Sequence, residues 1–252
     1  MLSFSEKILF IICVIGSLAY AYFDFKNVYQ LIQRGSGRKP TWDEMKTRAM
    51  EALKTWLTLE PTWKTRPVAS IFHAMIAWGF TFYFLVNFGD VIQGYFPIAF
   101  LGEGLIGGIY RFIADILTMS VLIGMVYFLV RRFILDDKAL SYRGNVLLLD
   151  RVKAGGIRRD SLIVGLFILF HVGFRMIGES FAIAARGGDA GQPFGNLVSK
   201  LWSGWSHSTL VGGEHVGWWL ALGAILIFIP YFPYTKHFHL IMAGVNFLTK
   251  PK

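Results

Sequence analysis

The sequence predicts an all-α integral membrane bundle of five transmembrane helices, with the N-terminus out and the C-terminus in. Three observations predict it. Of the 252 residues, 54% are hydrophobic and only 16% are charged, a balance that a water-soluble domain of this size does not keep. Uncharged runs recur five times, at Ile8 to Phe23, Pro67 to Gly89, Ile116 to Val130, Ser161 to Phe174 and Val216 to Thr235, where about 20 residues of helix span a bilayer core. Finally, 20 of the 25 Lys and Arg fall on one side of these runs: nine between Asp24 and Pro67, eight from Arg131 to Asp160 and three after Thr235. By the positive-inside rule that side is cytoplasmic.

The first helix is expected at about 5–24. Without a basic leader or a small-residue cleavage site, and with Tyr20, Tyr22 and Phe23 as an aromatic belt, it reads as a retained span. In the first cytoplasmic loop, Thr41 to Leu59 reads as an amphipathic helix, with Thr41 capping it and Glu44 completing a capping box. It lies on the membrane surface, or it packs Trp42, Trp56 and Trp63 on a soluble partner; both readings stay open. The remaining spans are expected at about 67–91, 108–131, 160–185 and 214–236. The third admits Arg111 and Asp115, and the fourth admits Arg175 and Glu179. The Gly- and Trp-rich stretch from Arg186 to Glu214 reads as an external cap without chemistry.

No linker, low-complexity tract or internal repeat divides the chain, so residues 1–252 read as one membrane-embedded domain. The net charge of +9 is accounted for by topology and needs no nucleic acid. Cys13 is the one cysteine, which excludes an internal disulfide and a four-cysteine iron–sulfur cluster within this sequence. Redox chemistry would need another carrier.

Histidine is a rare guest in a membrane span and usually faces the bundle interior. His73 lies about two turns inside the cytoplasmic start of the second span, and His237 and His239 lie at the cytoplasmic end of the fifth, at similar depth for a rise of 1.5 Å per residue. Two neutral imidazoles from facing helices can ligate a haem iron axially. His73 pairs with His239 or His237, which point about 200° apart if both are helical, and Arg66 and Lys236 are placed for propionates. The alternative leaves His237 and His239 as interfacial residues of a basic tail.

In the fourth span, His171, Arg175 and Glu179 follow at i, i+4 and i+8, one polar stripe that must face inward. Arg175 and Glu179 form either a structural ion pair or an outer-leaflet haem or quinone site. In the second case Arg175 neutralises a propionate or reduced quinone and Glu179 handles a proton. Arg111 and Asp115 can join that site. His215 is a candidate outer-haem ligand with His171, although the two differ in depth; His207 reads as solvent-facing.

Phe72-His73 through Gly79-Phe80, Gly173-Phe174 through Gly178-Glu179, and Pro233 through Lys236-His237-Phe-His239 with Asn246-Phe247 resemble the cytochrome b family of the respiratory nitrate reductase gamma subunit. More closely, they resemble the membrane domain of heterodisulfide reductase-like iron–sulfur oxidoreductases. The resemblance covers nearly the whole chain. It implies a b-type cytochrome that anchors a cytoplasmic iron–sulfur subunit or domain and exchanges electrons between its clusters and membrane quinone. The family's inner haem ligands carry over to His73 and to His239 or His237. Where nitrate reductase-like members place two outer-haem histidines, this sequence has Tyr83 and Ala221, so one haem b is expected, and two only if His171 and His215 substitute.

The function expected is therefore a membrane electron-transfer subunit of a quinone-linked oxidoreductase in a prokaryotic inner membrane. Its iron–sulfur clusters then lie on a separate subunit, or the sequence is part of a longer chain. The alternative is a proton or solute transporter that uses the polar stripe of the fourth span.

Overall fold

Ser3 opens the first helix. Its hydroxyl accepts the Glu6 amide while the Glu6 carboxylate accepts the Ser3 amide, a closed capping box. In the computed structural model, which describes residues 1–249 apart from Gly37, Lys39 and Arg143, this helix, α1, runs from Phe4 to Gln33. It extends past the expected end, through Lys26, Gln30 and Leu31, good helix formers that continue the span as an overhang on the basic side. The Lys250–Lys252 tail lies outside the described residues.

The capping box predicted at Thr41 is formed, with the Thr41 amide donating to Glu44 at 2.9 Å, and it starts α2, Trp42–Thr58. A short turn, α3 at Glu60–Trp63, leads into α4 at Pro67–Tyr95, where Pro67 sits in the first turn and forfeits no hydrogen bond. Then come α5 at Leu105–Phe133, α6 at Ile157–Arg186, α7 at Pro193–Ser199, α8 at His207–Tyr231 and α9 at His239–Thr249. No strand occurs among the described residues. Five of these helices (α1, α4, α5, α6 and α8) are long and apolar enough to cross a membrane, and the protein is a multi-pass membrane protein on that ground.

Two boundaries differ from the sequence reading in ways that bear on function. The fifth span begins at His207, capped by Ser206, so His207 and His215 lie on the helix rather than before or at its start. It ends at Tyr231 instead of reaching residue 236. Pro233 has no amide hydrogen to continue the ladder, and two tight turns, Phe232–Tyr234 and Lys236–Phe238, follow before α9.

The spans pack in the order α4, α5, α6, α8, α1, with the α6–α8 contact the most extensive. Gly178 and Gly217 permit it: a Cβ on Gly178 would stand 3.0 Å from the Gly217 Cα, so the two backbones touch, as small residues allow between membrane helices. At the end away from the basic loops, α1 closes on α4, with the Leu2 amide donating to the Gly94 carbonyl at 2.9 Å and the Lys7 ammonium to the Tyr95 carbonyl at 2.8 Å. The core lies along α4, α5 and α6 and includes Tyr83, Val86, Val121, Ile168 and Val172.

Candidate functional site

Three histidines lie toward the basic end, His237 and His239 as ring neighbours after α8 and His73 in the first half of α4. His73, about 1.7 turns past Pro67 by the 3.6-residue repeat, has its Nδ1 buried with no hydrogen-bond partner among the described residues. The break at Pro233 changes how His237 and His239 are presented. They do not point apart on one helix; the His237 ring sits in a turn, 6.3 Å from the ring of His239 and perpendicular to it.

His237 is buried among Phe80, Phe228 and Phe232, and its Nε2 likewise has no partner among the described residues. Burial, followed by the nearby His239 and Lys236, pushes its pKa down to about 4, which keeps the imidazole neutral at pH 7, the form that binds metal. His239 is more exposed, and its Nδ1 donates to the Lys236 carbonyl at 2.7 Å. That bond fixes the tautomer and leaves Nε2 as the free lone pair, the way metal-binding histidines are commonly oriented. Lys236 donates from Nζ to Ser161, 3.0 Å away, and its amide donates to Asp160; Arg66, exposed at the N-terminus of α4, reaches the Ala139 carbonyl.

At the opposite end, the partner of Arg175 is Asp90, not Glu179. The guanidinium makes a two-pronged pair with the Asp90 carboxylate, at 3.0 and 3.1 Å, with both side chains largely buried. Glu179 pairs instead with Arg186 at 3.0 Å. Gln192, its amide nitrogen turned toward the two carboxylates, donates to Glu179 at 3.1 Å and to Asp189 at 3.0 Å. Asp189 in turn pairs with Arg111 at 2.9 Å, and Arg111 with the exposed Glu103 at 3.5 Å. A continuous polar ladder thus runs from Glu179 to the surface.

The ladder borders a cavity of about 250 Å³ lined by Tyr110, Arg111, Arg175, Glu179, Asp189 and Gln192. A smaller cavity beside it adds Asp90, His215 and Trp218. Asp115 does not line this space; it accepts the amides of Phe194 and Gly195 and so anchors α7. His215 bonds through Nδ1 to the Glu6 carboxylate at 3.0 Å, which also accepts the Trp219 indole. His207 is exposed.

Between the two ends lies a run of ring contacts. His237 meets Phe228, Phe228 stacks on Phe167 at 3.8 Å, Phe167 stacks on His171 at 6.0 Å, and His171 meets Tyr83 edge-on at 5.7 Å. The Arg175 guanidinium stands 6.0 Å from the Tyr83 ring centre. His171 is fully buried, with Nδ1 bonded to the Ala221 carbonyl at 2.9 Å and Nε2 unpartnered among the described residues. Tyr83 shares a 2.7 Å hydrogen bond with Thr118.

Asp90, Asp189, Gln192 and Glu6 were not singled out from the sequence. For Asp90 a signal existed: it immediately follows the uncharged run Pro67 to Gly89, and an arginine within a span requires an anion. The other three lie far in sequence from the groups they meet, and no local pattern marks them.

No protein-family model matches the sequence, and no solved structure matches it. Two curated proteins are similar. One is described as a probable iron–sulfur-binding oxidoreductase, FadF, of Bacillus subtilis strain 168, 26% identical over 181 residues that make up 71% of this chain and 23% of that protein. The other is an EtfAB:quinone oxidoreductase of Syntrophomonas wolfei subsp. wolfei, 26% identical over 188 residues, 72% of this chain and 25% of that protein. The chain thus matches about a quarter of the length of these curated relatives.

Proposed function

We propose that this chain is the membrane electron-transfer part of a quinone-linked oxidoreductase. It relays electrons between an iron–sulfur partner on the basic, cytoplasmic side and quinone in a prokaryotic inner membrane, as a relative of the cytochrome b and heterodisulfide reductase-like membrane domains. The observation that carries the proposal lies at the basic end: His73 buries an imidazole nitrogen with no partner among the described residues, and His239, whose tautomer a carbonyl fixes, turns its Nε2 lone pair free, next to His237, whose Nε2 is likewise unpartnered among the described residues. Buried polar atoms are almost always satisfied, and a pair of neutral imidazoles is the donor set that a b-type haem takes.

His73 and His239 would hold the haem iron, with His237 as the alternative to His239, and Arg66 and Lys236 would meet the propionates. Haem bound there supplies reversible one-electron storage. We propose one such group. His171 faces Ala221, about 9 Å of helix rise beyond His215, and side chains fill the space around it. A second haem on His171 and His215 would require that space to open.

The quinone headgroup is proposed to enter the cavity beside Arg175. There the Asp90 carboxylate holds the guanidinium in place, and Glu179 is placed to take or give a proton, with Gln192 and Asp189 leading to the surface. A transport path has no support inward of the ladder: past Arg175 stand Tyr83 and His171, and then, among the described residues, an apolar core that includes Val121, Val164 and Ile168. The test is to add a menaquinol analogue to the purified, oxidised protein and follow the haem absorption bands. The expected result is reduction in the wild type, slowed in Arg175→Gln at unchanged haem content. A haem band that no quinol reduces would overturn the quinone assignment.

A further inference from the structure

Helix α2 has three faces. Glu44, Met45, Arg48, Ala52 and Thr55 are partly covered, and α2 packs on α9, with the Arg48 guanidinium donating to the Leu248 carbonyl at 3.0 Å. Asp43, Thr47, Glu51, Lys54 and Thr58 form an exposed polar face. The third face is open and largely apolar: Trp42, Met50, Leu53, Trp56 and Leu57, each between 44% and 67% exposed, fall within one arc of about 120° by the 3.6-residue turn, and the one cation within that arc, Lys46, sits in the first turn with its ammonium 5.6 Å over the Trp42 ring, a long side chain able to reach back to water. A face of this kind is not left in water without a reason.

The identity of its occupant follows from where α2 is attached. The Trp78 indole donates to the Leu57 carbonyl at 3.2 Å. Trp78 belongs to the outward surface of α4, where Ile71, Phe84 and Phe88 are also exposed, and it lies about 16 Å along that helix from Pro67. Its side chain leans back toward the N-terminus of α4, as helical side chains do. The C-terminal end of α2 is therefore tied to the flank of a span, and its apolar face continues the lipid-facing surface of that span.

We propose that α2 is an interfacial helix whose Trp42, Met50, Leu53, Trp56 and Leu57 face enters the bilayer at the acyl–headgroup boundary on the basic side, leaving the Asp43, Glu51 and Lys54 face to the aqueous phase. Charge gives no reason for a preference among lipids, because the helix carries three acidic residues (Asp43, Glu44, Glu51) and three basic ones (Lys46, Arg48, Lys54). Attachment rests on apolar burial and on the tryptophans, which favour the membrane interface.

The experiment uses Cys13→Ser as background, with Leu53→Cys, Trp56→Cys and Glu51→Cys labelled one at a time with a nitroxide. The labelled proteins are reconstituted in vesicles of phosphatidylcholine, alone or mixed with phosphatidylglycerol. Labels at 53 and 56 are expected to collide more with dissolved oxygen than with a water-soluble nickel chelate, the label at 51 the reverse, and equally so in both lipids. Nickel access at 53 and 56 would place the face in water. Shielding from both reagents would mean that a protein, a partner or a second copy, covers it. Either result overturns the proposal, and labels at Met50 and Leu57 repeat the measurement should one variant fold poorly.

Discussion

His171 donates from Nδ1 to the carbonyl oxygen of Ala221, 2.9 Å away across the α6–α8 contact, and its ring closes against Tyr83. The bond occupies a carbonyl that α8 would otherwise leave shared only with its own ladder, and it holds the imidazole in one tautomer. If His171 closes the core rather than ligating a second haem, His171→Leu costs about 1–3 kcal/mol of stability through the lost bond and leaves haem per chain unchanged. Haem content and thermal unfolding in detergent, measured on the same preparation, check both halves.

The Asp90–Arg175 pair makes a different prediction. Asp90→Ala leaves a guanidinium buried without its anion, an expected loss of about 3–5 kcal/mol. The double variant Asp90→Ala with Arg175→Met removes both charges and is expected to recover much of that loss. Denaturant unfolding of the two variants against wild type measures the difference; equal losses would show that the pair contributes nothing beyond packing.

Glu179 lines the cavity and is not part of the pair that holds Arg175; in the proposed function it exchanges the proton there. Glu179→Gln keeps the shape and removes the titrating group. Quinone-linked electron transfer is expected to fall about a hundredfold, the usual effect of deleting a general acid or base, with haem content and folding intact. Stopped-flow haem reduction by a quinol analogue checks it.

The α6–α8 crossing depends on backbone contact at Gly178 and Gly217. Gly178→Val inserts carbons where none fit, and overpacking of this kind costs about 1–3 kcal/mol. The ring stack from His171 through Phe167 to Phe228 spans the same crossing, so the quinol-dependent rate is expected to fall along with stability. Gly173→Val, where no atom of the described residues stands within 4 Å of the added Cβ beyond the helix's own backbone, is the control and is expected to be near neutral.

Much of this was legible in the sequence because lipid imposes strong local rules. Length without charge locates the spans from Pro67, Ile116 and Ser161, and Thr41 with Glu44 announces the cap of α2. His73, Arg175 and Glu179 stand out because polar groups are costly in a membrane. What stayed hidden depends on tertiary neighbours. The i, i+4 spacing of Arg175 and Glu179 suggested a mutual pair, but a guanidinium reaches across to α4 as easily as along its own helix, and Asp90 and Arg186 take the two groups apart. The turn that brings His237 and His239 together depends on Pro233, whose consequence for ring direction a helical wheel does not carry.

The most direct test of the central claim is the reduced-minus-oxidised absorption spectrum of the purified protein, with haem quantified as the pyridine haemochrome, for wild type, His73→Ala, His239→Ala and His237→Ala. The account predicts a b-type spectrum with one haem per chain, lost in His73→Ala and His239→Ala and retained in His237→Ala. Loss in His237→Ala with retention in His239→Ala would exchange the second ligand. A wild-type protein purified with adequate haem supply that shows no b-type spectrum would contradict the account.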